Sequence, residues 1–244
     1  MRVETVADGV HLVRGSAVNW VIVVDGDAVT LVDGGYPRDA AALVASLAAV
    51  GRRPEQVEAV LLTHAHVDHV GGVAPLVARH GTPVLTSPTE ARHARREFLE
   101  QATPAAVAAR AWRPRVLAWA AVAARAGALR AVVLPTARGV ETGVALDLPG
   151  SPVGVPTPGH TSGHTAWLLP GTGVVCVGDA LATAHPTSSR VGPQVLDPMF
   201  HHDRAAIPAA LDTLAALDAG VVAPGHGPAW HGTIADAVRR ARAH

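Results

Sequence analysis

The ten residues Thr63-His64-Ala65-His66-Val67-Asp68-His69-Val70-Gly71-Gly72 constrain this chain more than any other feature. They follow the apolar run Val57–Leu62, read as a strand, and precede Val73–His80, read as a short helix ended by Gly81. In extended chain, side chains two apart point the same way, so His64 and His66 can grip one ion. As the chain turns into a helix, Asp68 and His69 fall in its first turn and can face a second ion beside the first. Gly71-Gly72 lets the backbone turn tightly. Imidazole and carboxylate suit zinc, and also iron or manganese. The chain holds 14 histidines in 244 residues. Even so, the His-x-His-x-Asp-His pattern arises by chance with a probability on the order of 10⁻⁵ per position.

Three more segments end an apolar strand in a side chain that can bind a metal. Pro158-Gly159-His160-Thr161-Ser162-Gly163-His164 follows a short strand. Val175-Cys176-Val177-Gly178-Asp179 ends in an acid, and Val222-Ala223-Pro224-Gly225-His226-Gly227 in a histidine. A lone His or Asp at a strand end is more often a cap or a turn residue. Three of them joined to the first cluster reverse that weighting, because loops on a rigid scaffold commonly carry sites.

The rest of the chain supplies the scaffold. Short β-branched strands are expected at Val10–Val13, Val18–Val24 and Ala28–Val32, and a helix over Arg38–Val50. Val84–Thr86 reads as a further strand. Residues 88–130 change character: Ala and Arg dominate, strand signals vanish, and Pro104 and Pro114 begin or break two or three helices. Strands return at Val132–Leu134, Val144–Leu146, Val153–Pro156, Ala166–Leu169, Val174–Val177 and Val221–Ala223. A loop is expected over Thr183–Pro198, a helix over Asp203–Leu217 with Asp203 as N-cap, and a last helix over Thr233–His244. The order implies two packed sheets with helices outside.

Together these segments, spanning residues 63 to 227, resemble the successive signature motifs of the metallo-β-lactamase superfamily. The resemblance implies an α/β fold, a four-layer αββα sandwich, with its site at one edge between the sheets. Residues 1–244 then form a single domain, with 88–130 as a helical insertion or lid. A ligand set is also implied: His64, His66 and His160 on one metal, Asp68, His69 and His226 on the other, and Asp179 bridging both. A bridging Asp179 is similar to glyoxalase II and to the lactonases that open acyl-homoserine lactones. True β-lactamases with zinc lack it, and Cys176 does not match their cysteine ligand. Glyoxalase II carries a helical glutathione-binding region after its last ligand, whereas 18 residues follow His226 here. The tyrosine used by lactonases has no evident counterpart, since the sole Tyr36 sits in an early loop.

The function expected is hydrolysis of a small ester, thioester or lactone by a metal-bound hydroxide, with two zinc ions per chain, or iron or manganese. Asp68 would act as ligand and as orienter of the hydroxide. The alternative is a phosphodiesterase or RNA-processing nuclease of the same superfamily. Lys plus Arg equals Asp plus Glu at 20 each, so nothing advertises a nucleic-acid partner. The single Cys176 excludes an internal disulfide framework and suits a reducing compartment. The N-terminus shows no signal-peptide pattern, and the apolar run Val116–Ala124 spans roughly 14 Å of helix against a bilayer core of about 30 Å. A cytoplasmic protein acting on a small molecule, and compatible with a homodimer, is the expectation.

Supporting roles are expected for Asp33, Thr63, Thr161, Thr165 and His164, because ligand histidines donate their other N–H to an oxygen. His185, His201 and His202 lie near a loop that could border the substrate, with surface or capping roles as the favoured reading. His11, His80, His93, His231 and His244 receive no role. Phe98, Trp112 and Trp119 either line a pocket or dock the helices. Arg92, Arg95, Arg96, Arg110, Arg113 and Arg115 read as a solvated face, with recognition of an acidic substrate group as the other option.

Overall fold

Period-two alternation builds both sheets, because successive strand residues face opposite sides. The computed structural model describes residues 1–243. The first sheet holds β1 (Arg2–Ala7), β2 (Val10–Arg14), β3 (Asn19–Asp25), β4 (Ala28–Val32), β5 (Val57–Leu61), β6 (Val84–Thr86) and β7 (Arg138–Gly139) in sequential order. The first four strands pair antiparallel and the last three join in parallel. On β3, Trp20 and Ile22 face one side and Val21 and Val23 the other. The first pair packs with Leu43 and Leu47 of helix α1 (Ala40–Ala49). After the short helix α2 (Val67–Val70), α3 (Ala74–His80) adds Leu76 and Val77 to this core.

Residues 88–130 carry α4 (Pro88–Ala94), α5 (Pro104–Ala108) and α6 (Pro114–Ala126). Each begins with proline, whose missing N–H costs nothing at a first helical position. Ser87 and Thr103 cap α4 and α5 through their hydroxyls. Gly127, at φ 101°, ends α6. Ala123 and Ala126 of α6 pack against Val18 and Tyr36.

The second sheet runs β14 (Trp230–His231), β13 (Val221–Pro224), β10 (Val174–Gly178), β9 (Thr165–Leu169), β8 (Val153–Pro156), and β11 (Ala182–Ala184) pairs with β12 (Val191–Gln194) in a separate ribbon. On β10, Val174 and Cys176 meet Val21, Val23 and Leu61 of the first sheet. Val175 and Val177 face outward to α7 (Ile207–Ala215) and α8 (Ile234–Arg242). Three cores thus separate four layers, helices–sheet–sheet–helices, as the sequence implied. The central strand β10 is buried on both faces, which is why it reads as an unbroken apolar run.

Several local expectations fail for physical reasons. Val132 and Leu134 are buried, but no strand pairs with them; the Leu134 N–H donates to the Ala94 carbonyl and the Arg96 guanidinium to the Val132 carbonyl. Ala145 makes only an isolated bridge to Val153. The Thr183–Pro198 loop contains the β11–β12 ribbon. Helix α7 begins at Ile207, and Asp203 instead accepts from the Ala205 N–H. The expected end of the last helix at His244 lies outside the described residues.

Candidate metal centre

Strand direction gathers the site. Strands β8, β10 and β13 all run the same way, since β9 is antiparallel to both β8 and β10 while β13 is parallel to β10. Their C-terminal loops, carrying His160, Asp179 and His226, therefore emerge at one edge. The first sheet is registered to this edge by the Thr165 N–H, which donates to the Thr63 carbonyl at 2.9 Å. The Trp167 indole also donates, to the Leu62 carbonyl at 3.0 Å. Asn19 fixes the His226 loop by donating its amide to the carbonyls of Pro224 and Gly227.

All seven expected side chains meet here. The ligand atoms of His64, His66 and His160 lie within 4.8 Å of one another, as do those of His64, His69 and Asp179, and of Asp68, His69 and His226. Asp179 stands among them: Oδ2 is 3.4 Å from His160 Nε2 and 3.3 Å from His226 Nε2, and Oδ1 is 3.4 Å from His69 Nε2. Gly225 has no side chain because a Cβ there would collide with Asp179 Oδ1.

Outer partners fix the tautomers. Asp33, held at φ 59°, accepts from the Thr63 N–H and hydroxyl and from His69 Nδ1 at 2.8 Å. A carboxylate only accepts, so Nδ1 carries the proton and Nε2 faces inward. The Thr63 hydroxyl, having donated to Asp33, accepts from His64 Nδ1 at 3.0 Å. His226 Nδ1 donates to the Ala17 carbonyl at 2.8 Å, and His66 Nε2 to the Glu100 carbonyl. His164 is no part of the cluster of ligand atoms. Its Nε2 accepts the Asp179 N–H and its Nδ1 pairs with Thr157.

Electrostatics match this arrangement. Burial drives the pKa of His64 and His160 well below the ordinary histidine value. Against the same burial, Asp33, Asp179 and Asp68 raise His69 well above it. Burial opposes ionisation of Asp179, but His226, His69 and His160 hold its carboxyl well below the usual range. His64 Nε2, His69 Nε2 and Asp179 Oδ1 are buried with no hydrogen-bond partner among the described residues. Each such atom costs about 1–3 kcal/mol. Buried, unpartnered donors of lone pairs converging from imidazoles and a carboxylate suit a divalent cation.

Sequence reasoning missed a buried support. Glu90 accepts from the Ala65 N–H at 2.7 Å, from the Thr161 hydroxyl at 2.6 Å and from His93 Nδ1 at 2.6 Å. His93 Nε2 accepts the Glu100 N–H, and the Glu100 carbonyl receives His66. A Ser-x-x-Glu capping spacing at Ser87 was the one sequence signal. The Thr165 hydroxyl donates to the Gly163 carbonyl and not to a ligand histidine.

A cavity of about 380 Å³ opens on the cluster. Trp119 lines it, whereas Phe98 stacks on His93 and Trp112 is 80% exposed. His185, expected at the surface, is buried in the cavity wall with its ring 4.8 Å from that of His226. Burial pushes its pKa down to about 3. His201 packs on His160, and His202 lies 3.4 Å from Glu100. Tyr36 also lines the cavity. Burial, and then the neighbouring Asp68 and Asp179, push its phenol well above the ordinary tyrosine value. None of the eight arginines of residues 88–130 lines the cavity: Arg92 and Arg95 pair with Glu97, and Arg113 with Asp197.

The sequence model of the metallo-beta-lactamase superfamily matches residues 13–226. A hydroxyacylglutathione hydrolase from Acidiphilium cryptum is 32% identical over 198 residues, which are 81% of this chain and 58% of that protein. The chain thus spans less than two thirds of that relative. Among solved structures, a metallo-beta-lactamase family protein from Thermus thermophilus superposes with a TM-score of 0.67 at 26% identity, covering 97% of this chain and 79% of that one. A Cronobacter sakazakii metallo-beta-lactamase gives 0.70 at 20% identity, covering 100% and 92%, a likeness of fold alone.

Proposed function

Because the chain belongs to the metallo-beta-lactamase superfamily, we propose that it is a dinuclear metal-dependent hydrolase that cleaves a small ester, thioester or lactone. The observation that carries this reading is the position of Asp179, with carboxylate oxygens 3.3–3.4 Å from nitrogens of His69, His160 and His226. One carboxylate so placed suits two neighbouring cations. His64, His66 and His160 would hold one, Asp68, His69 and His226 the other, and zinc fits this donor set. When bound, such ions supply Lewis acidity and a nucleophilic water at neutral pH.

The chain's own groups do the rest. Asp33, Thr63, Glu100 and Ala17 keep the imidazoles in the tautomers that face inward. Asp68, on the first turn of α2, orients the attacking water. Tyr36, on the cavity lining together with Asp68, is the proton donor for the leaving group.

The partner is a small molecule rather than nucleic acid: no Arg or Lys lines the cavity among the described residues, which disfavours the phosphodiesterase reading. Among those residues no helix is long and apolar enough to cross a membrane. A free, buried Cys176 suits a cytoplasmic setting. The test is to assay purified protein on thioesters, lactones, esters, phosphodiesters and β-lactams, with metal measured on the same sample. Carboxyl-ester or thioester turnover with two metals per chain is expected. Turnover of phosphodiesters alone, or one metal per chain at saturation, overturns the reading.

A further inference from the structure

Apart from Gln101, His185 and Tyr36, the walls of the cavity that the metal cluster does not supply are apolar. Val107 of α5, Trp119 and Ala123 of α6, Leu129, Leu196 and Phe200 close it. Trp119 and Phe200 meet edge to face with ring centroids 5.1 Å apart, and His185 packs on Phe200 at the same separation. The ionisable groups at the surface of the cavity are those of the cluster, His185 and Tyr36. Among the described residues no arginine or lysine lines the cavity; of the arginines near it in sequence, Arg113 pairs with Asp197 at 2.7 Å and Arg110 donates to the Ala106 carbonyl at 3.1 Å. The volume of about 380 Å³ falls within the usual span for small-molecule sites, about 300–1,000 Å³.

We infer that this cavity takes a neutral, medium-length acyl chain, and that the substrate is an apolar acyl ester, thioester or lactone rather than a conjugate of an anionic carrier such as glutathione. The inference rests on the hydrolase reading above and narrows its substrate. A carboxylate-bearing carrier finds no arginine or lysine on the cavity lining to pair with, among the described residues. An aliphatic chain meets walls that reward it by about fourfold in binding per buried methylene. The hinge between specificity and chemistry is α6, whose Trp119 and Ala123 line the cavity while Ala123 and Ala126 pack on Val18 and Tyr36.

Two measurements test it. The first compares kcat/KM for butanoyl, octanoyl and dodecanoyl thioesters of a neutral thiol with the same acyl groups on glutathione, using metal-loaded protein. A rise of tenfold or more from butanoyl to octanoyl on the neutral thiol, and a lower value on glutathione, is expected. Ala120→Trp, which narrows the cavity from α6, removes the length preference. Equal or better turnover of the glutathione thioesters, or no dependence on chain length, overturns the inference and leaves the hydrolase reading standing. Absence of all acyl turnover overturns the hydrolase reading instead. The second measurement then still decides the cavity: octanamide titrated into metal-free protein should change tryptophan fluorescence saturably, and that change should be lost in Trp119→Phe and weakened in Ala120→Trp. No saturable binding of octanamide overturns the inference independently of any catalysis.

Discussion

Oε1 of Glu90 sits 2.6 Å from Nδ1 of His93, with both side chains fully buried beneath the loops that carry His64, His66 and His160. The carboxylate joins two loops from different sheets, through the Ala65 N–H on one side and the Thr161 hydroxyl on the other. Glu90→Gln keeps the shape but turns one acceptor into a donor that faces other donors. It should cost about 1–3 kcal/mol of stability, and Glu90→Ala about 3–5 kcal/mol, because His93 is left buried without its partner. Chemical denaturation measures both. Metal affinity should fall in parallel, since the His93–Glu100 link orients His66. Wild-type stability and metal affinity in the alanine variant would remove this role.

Acid should act through buried histidine before it acts through carboxylate. The His185 pKa falls from an ordinary 6.5 to about 3 on folding, through burial. The unfolded chain therefore binds the proton first. Between those two values the unfolded state holds about one more proton, so stability rises with pH and is lost as pH drops below 6.5. His185→Gln should flatten the slope of unfolding free energy against pH, over pH 4–6, by about 1.4 kcal/mol per unit. Glu90 acts at lower pH. His93 and Thr161 hold its folded pKa below 4.5 despite burial, so its contribution is present above that value and fades as pH falls through the folded one. Parallel slopes for wild type and His185→Gln would contradict the assignment.

Asp179→Ala should disturb metal binding more widely than His66→Ala. The aspartate contacts three histidines, whereas His66 Nδ1 faces only the His160 side of the cluster. Protein purified without added metal should lose one equivalent in His66→Ala and most of both in Asp179→Ala. Thermal stability should fall with metal content, as linkage requires, and chelation of the wild type should reproduce the drop. Full loading of both variants would refute the ligand set.

Tyr36→Phe removes a phenol without changing the packing against Ala123 and Ala126. Activity should fall about 10²-fold or more, within the usual range for a proton-transfer group. Metal content and melting temperature should stay near wild type. The loss should shrink for substrates with activated leaving groups, which need no proton. An equal loss across leaving groups would make Tyr36 a wall residue only.

Much of the site was legible in the chain because its signals are local. His64, His66, Asp68 and His69 lie on one strand-to-helix turn, and their spacing alone sets which way they point. His160, Asp179 and His226 were legible as strand-end residues, and Asp33 as the turn acid after β4. Glu90, His93 and Glu100 were not legible as a unit. Their partners are Ala65, Thr161 and His66, and the spacing of a capping glutamate says nothing of a carboxylate joining two loops. His185 and Tyr36 were obscured likewise, since one lies in a Pro- and Ser-rich loop and the other in an early turn. Val132 and Leu134 misled because burial against α4 produces the same apolar alternation as burial in a strand.

Residue order alone set the periodicities of strand and helix, the donor chemistry of the cluster and the succession in which its members arrive. These follow from residue type and near-neighbour geometry. Long-range packing settled which imidazole nitrogen faces inward and which carboxylate stands between the histidines. It also brought α6 over the cluster to wall it with apolar side chains. Those outcomes depend on contacts between residues tens to hundreds of positions apart, such as Asn19 with Gly227 or Glu90 with Thr161, and no local pattern encodes such pairings.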